Sequence, residues 1–93
     1  MEEKQEEQKK EKLIGKITHY FNNIGVGVIE VTDDVLKVGE VIHIKGATTD
    51  FEQKVNSIQV EHEDVQEAKT GQAAGLKVEQ PIRESDQVFK ILK

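Results

Sequence analysis

The sequence predicts an all-β protein: a single small closed barrel of six strands. Apolar residues fall in short runs rich in Val, Ile and Phe. Gly, Asn and Asp turn residues separate those runs at roughly the 8–12-residue spacing of sandwiches and barrels. No segment sustains a helical apolar period. Closure is expected because a barrel removes exposed strand edges.

The 93 residues make room for one modest core. Met1–Lys12 contains five Glu, four Lys and one apolar residue, Met1. Glu2, Glu6 and Lys10 share a helical face, but no apolar stripe would dock such a helix, so residues 1–12 are expected to be a solvated tail. The barrel domain is expected over residues 13–93.

Leu13–Phe21 is the first expected strand, with Leu13, Ile17 and Phe21 on one face. Asn22-Asn23-Ile24-Gly25 is a turn, because Asn and Gly tolerate positive φ, and Val26–Val31 returns as the second strand. Val35–Glu40 is a short link ending in a tight turn at Gly39. Val41–Lys45 is the third strand, with Ile42 and Ile44 opposite His43. Phe51–Val60 is a long fourth strand whose apolar phase switches between Val55 and Ile58. A period-2 strand cannot change faces unaided, so a bulge is expected near Asn56-Ser57. Val65–Gly71 is a connection, Ala73–Glu79 the fifth strand with Leu76 and Val78 inward, and Val88–Leu92 the sixth. Pro81 falls between strands, where its missing N–H interrupts no ladder.

Composition narrows function. The chain has no cysteine, so a disulfide framework and a thiolate metal site are both excluded. No signal-peptide run or stretch of about 20 apolar residues occurs, which points to a cytoplasmic location and no membrane partner. The net charge of −5 opposes broad capture of nucleic acid. Gly15-Lys16-Ile17 is not a phosphate-binding loop, and Gly25-Val26-Gly27 lacks the rest of a dinucleotide fingerprint. No nucleotide hydrolysis by this chain is expected.

His19, His43 and His62 fall on separate expected strands without a metal-ligand spacing, so the reading assigns no metal and no cofactor. Ser57 and Ser85 lack a nucleophile's context. Pairs such as Asp33-Asp34 and Glu61/Glu63 arise readily among 18 acidic residues. A non-catalytic protein is expected.

Three blocks carry a resemblance: Val35–Gly46, Val55–Val60 and Glu67–Leu76. In order and spacing they resemble the second, β-barrel domain of the translational GTPases, elongation factor Tu and its relatives. The likeness runs from about Gly15 to Ile91 and implies a Greek-key-type barrel. Gly39 and Gly71 would form tight turns in it, and Gly75 would admit a neighbouring backbone.

In that family the barrel pocket receives the terminal adenosine of aminoacyl-tRNA. The pocket glutamate aligns with Gln59, a nearby basic residue with His62, and an Arg-Gly-Thr stretch with Asn23-Ile24-Gly25; none of these is identical. The resemblance therefore nominates Asn22, Asn23, Gln59 and His62 as binding residues, with Gln59 and His62 able to hydrogen-bond or stack on a base. It implies a translation- or RNA-associated module with tRNA or the ribosome as partner. The alternative is an accessory barrel with a protein partner, like the similar barrel at the C-terminus of some collagenase-type peptidases, serving a peptidase or an RNA-modifying enzyme.

Overall fold

The computed structural model describes residues 10–92, and the expected tail over 1–9 lies outside them. Ten strands and no helix make up the described residues. They are β1 (Lys10–Phe21), β2 (Val26–Val31), β3 (Val35–Lys37), β4 (Val41–Lys45), β5 (Asp50–Lys54), β6 (Ile58–Val60), β7 (Glu63–Val65), β8 (Glu67–Lys69), β9 (Ala73–Lys77) and β10 (Gln87–Leu92). No helix of these residues is long and apolar enough to cross a membrane. β1 begins three residues before the expected boundary, because Lys10, Glu11 and Lys12 pair with Leu92, Ile91 and Lys90.

Eight strands form one antiparallel sheet in the order β5-β4-β10-β1-β2-β9-β6-β7, and β3 pairs with β8 separately. The expected six-stranded closed barrel is thus corrected on two counts. More strands form, and among the described residues no ladder joins the two ends of the sheet. A side chain instead ties β5, at one end, to the end of β9, two strands in from the other. The Gln53 amide donates to the Lys77 carbonyl at 2.8 Å and accepts from the Glu79 N–H at 2.9 Å. Gln53 is buried, so this pairing answers polar groups that would otherwise be stranded.

The phase switch between Val55 and Ile58 proves to be a break rather than a bulge. β5 pairs with β4, whereas β6 pairs with β9 and β7, so the intervening Val55–Ser57 carries the chain to new neighbours. Val55 and Ile58 both point into the core as a result. The expected connection over Val65–Gly71 contains β8 and adjoins β7.

The common face expected for Leu13, Ile17 and Phe21 does not exist. Ile17 is buried while Leu13 is 42% and Phe21 47% exposed. Register shifts at Leu13/Gly15 and Ile17/His19 each turn the strand by one residue, and Ile14 and Ile17 become the inward pair. The core is almost wholly aliphatic: Ile14, Ile17, Ile29, Val31, Leu36, Ile42, Ile44, Ile58 and Val88 are buried together. His43 is on the outer face opposite Ile42 and Ile44, as their alternation requires.

Candidate functional site

Strand alternation sends Ile29, Ala74, Leu76 and Ile58 inward, so the outer faces of β2, β9 and β6 carry Val26, Val28, Ala73, Gly75 and Gln59. These residues floor a groove of about 300 Å³. One wall is the β1–β2 turn, where Phe21 and Ile24 are 47% and 56% exposed. The Phe21 ring stacks on His19, with centroids 6.1 Å apart and planes 7° from parallel. The opposite wall is the β6–β7 turn, with Glu61 and His62.

The β1–β2 turn forms as expected: the N–H groups of Ile24 and Gly25 both donate to the Phe21 carbonyl, at 3.2 and 2.9 Å, and Gly25 has a φ of 67°. The β6–β7 turn is unusual. Two residues join the strands, and Glu61 and His62 have φ values of 54° and 68°. Positive φ at both central positions is the requirement of a type I′ hairpin turn, which Asn-Gly meets with least strain. Two bulky side chains here carry a conformational cost of roughly 1–2 kcal/mol each.

The groove floor dips at Gly75. A Cβ there would find its nearest neighbours, the Gln59 carbonyl oxygen and Val26 Cγ1, at 3.9 Å, which is ordinary contact. This corrects the expectation that Gly75 admits a neighbouring backbone. That role belongs to Gly15, where a Cβ would meet the Glu30 carbonyl oxygen at 2.4 Å. Gly39 and Gly71 do occupy turns, with φ of 97° and 95°.

Of the nominated residues, Gln59 and His62 converge on the groove. Gln59 is partly engaged, donating from Nε2 to Asp64 Oδ1 at 3.1 Å. Asn22 and Asn23 are exposed in the β1–β2 turn, and their neighbours Phe21 and Ile24 line the groove in their place. His62 lies in a turn rather than on a strand. Sequence reasoning missed Phe21, Ile24, Glu61 and Gly75. The available signal was the outward phase of Val26 and Val28, which leaves an apolar strip without a cover.

A second cluster lies elsewhere on the outer surface. Donor atoms of Glu11, His43 and Glu52 are within 4.8 Å of one another, and the register sets His43 beside Glu52. One imidazole with carboxylates suits a zinc- or manganese-like cation. Here both ring nitrogens of His43 already meet carboxylates: Nδ1 lies 2.7 Å from Glu11 and Nε2 2.5 Å from Asp50. Burial alone would lower the His43 pKa, but the hydrogen bonds to Asp50 and Glu11 outweigh it, and the ring titrates above its ordinary 6.5. Asp50 is held below its usual value by the hydrogen bond to His43, against desolvation. The cluster is a proton-bridged clasp tying β1 to β4 and β5.

No protein-family model matches the chain. Among curated proteins, it is 39% identical over 77 residues to "Uncharacterized protease MJ0090" of Methanocaldococcus jannaschii, covering 82% of this chain and 19% of that protein. It is 35% identical over 81 residues to "Collagenase" of Porphyromonas gingivalis, covering 86% of this chain and 22% of the collagenase. The chain therefore spans about a fifth of the length of the curated relatives it matches. Among solved structures, it resembles the C-terminal domain of a Geobacillus thermoleovorans protein described as a U32 peptidase, with a TM-score of 0.79 and 18% identity. That match covers 85% of this chain and 91% of the solved domain.

These matches correct the resemblance to the second domain of elongation factor Tu. They lead to peptidase and collagenase proteins, and the translation and RNA-binding expectations fall with it. The blocks that carried the resemblance centre on turn glycines such as Gly39 and Gly71. Their backbone geometry is a demand of the local turn and carries no information about a ligand.

Proposed function

We propose that this chain is a non-catalytic accessory β-domain of the kind found in peptidase-like proteins, contributing a protein contact through its outer groove. One observation carries the reading. Alignment with the relatives takes up 82% of this chain but 19% of the protease and, at 86%, 22% of the collagenase. On this reading, peptide-bond chemistry belongs to the remainder of such proteins, and the β-domain serves by binding. The fold likeness to an isolated C-terminal domain of a U32 peptidase supports the same assignment.

The test is affinity capture with the tagged chain from its native lysate after nuclease treatment, with retained proteins identified by mass spectrometry. The purified chain is also incubated with gelatin. Retention of a peptidase-type catalytic protein without gelatin cleavage is the expected result. Cleavage by the chain alone, or recovery of no such protein, overturns the proposal.

A further inference from the structure

We infer that the groove between the β1–β2 and β6–β7 turns receives an extended protein segment that alternates apolar and basic side chains. The inference rests on the accessory-domain reading and names the chemistry of its contact.

The apolar half of that chemistry comes from Phe21 and Ile24. Large exposed apolar side chains gathered around a concavity mark binding surfaces, whereas isolated ones do not. A volume of about 300 Å³ takes a few side chains rather than a folded face. Gly75 supports this independently. Glycine inside a strand weakens it by roughly 0.5–1 kcal/mol, and nothing packs closely enough to require glycine here. Its effect is to keep the floor open.

The basic half comes from charge. Glu61 to Glu67 contains four acidic residues and no Lys or Arg. Glu61 lines the groove, and Asp64, which pairs with Gln59 and accepts its amide N–H, adds a second carboxylate on the groove face of β7. A phosphate backbone would be repelled by this wall, whereas Lys or Arg side chains would be attracted. Glu61 and His62 stand on that wall with positive φ, and strain of this kind gathers at binding sites. The extended form follows from topology, since β7 ends the sheet order beside the groove and, among the described residues, no further ladder covers its outer edge, where an extended segment can pair.

The probe is a short fluorescein-labelled peptide of alternating valine and lysine, measured by fluorescence anisotropy. Valine–glutamate and glycine–lysine peptides serve as comparisons. Saturable binding of the valine–lysine peptide alone is expected. Gly75→Val, whose Cβ meets nothing closer than 3.9 Å, raises the floor and weakens it about tenfold or more. Glu61→Lys weakens it about fivefold, with a reduced salt dependence. Circular dichroism and thermal melts verify that both variants are folded; should Glu61→Lys melt early, Asp64→Lys replaces it.

Equal binding of the glycine–lysine peptide, no saturable binding, or no effect of Gly75→Val overturns the inference. Capture of a peptidase-type partner unaffected by Gly75→Val removes the groove inference but leaves the accessory reading standing. Peptide binding without any such capture does the reverse.

Discussion

Gln59 faces Gly75 across β6 and β9, and this pair is the register point at which the β6–β7 hairpin joins the eight-stranded sheet. By contrast, β1 holds both β2 and β10 through long ladders. One wall of the groove is therefore attached less extensively than the other. Local opening follows the number of buried contacts and ladder bonds that must be given up. Amides of β7 are expected to exchange at least about tenfold faster than those in the middle of β1 and β2. Native-state hydrogen exchange by NMR checks this; equal protection would contradict it.

The turn that carries Glu61 and His62 should be improvable. Replacing the pair with Asn-Gly, as Glu61→Asn with His62→Gly, suits positive φ at both positions. The double variant is expected to gain about 1–2 kcal/mol in denaturant unfolding. The same change removes an acidic and an imidazole side chain from the groove, so stability should rise while peptide binding falls.

Two glycines, on the strands either side of β2, should respond oppositely to alanine. At Gly15 the added Cβ would stand 2.4 Å from the Glu30 carbonyl oxygen, a backbone atom with little freedom to retreat. Gly15→Ala is expected to cost about 3 kcal/mol. At Gly75 the nearest atoms are 3.9 Å away, so Gly75→Ala should be neutral or stabilising by up to about 1 kcal/mol. Urea titrations of the two variants give the comparison directly.

The His43 clasp makes stability depend on pH. The folded pKa of His43 is raised above 6.5, so its contribution is complete below that value and is lost as pH rises through the folded value. The Asp50 pKa is lowered, so its share is present above 3.8 and is lost as pH falls through the depressed value. His43→Gln should therefore lower Tm more at about pH 5.5 than at about pH 8.5. Melts at the two values decide it, and a larger loss at the higher pH would reverse the argument.

Lys90 is buried with Nζ 3.5 Å from both Asp34 and Glu40. Those carboxylates keep other partners when the ammonium is removed: Asp34 accepts the Val35 N–H and Lys12, and Glu40 accepts the Lys37 N–H. The aliphatic stem then matters more than the charge. Lys90→Met is expected to cost about 1 kcal/mol and Lys90→Ala about 3 kcal/mol. Equal losses would show that the charge dominates.

Much of the fold is legible in local pattern. β2 and β4 occupy Val26–Val31 and Val41–Lys45 as expected, because uninterrupted alternation and flanking turn residues decide both face and limits. The phase conflict between Val55 and Ile58 announces an irregularity. Whether it is a bulge or a break depends on which strands wait on either side, and that is non-local information. β7 and β8 stay hidden because Glu63–Val65 and Glu67–Lys69 are short and largely polar, and their partners alone make them strands.

The sequence by itself determined an all-β chain with an aliphatic core, since a period of two and turn chemistry act over a few residues. Tertiary structure alone decided that the sheet stays open, with the Gln53 amide tying β5 to the end of β9. It also brought Phe21, Ile24, Gly75 and Glu61 to the groove that Gln59 and His62 share, and left Asn22 and Asn23 beside it. Outward-facing residues are under no burial constraint. Their meeting is set by strand order and by two register shifts in β1, which no short stretch of sequence encodes.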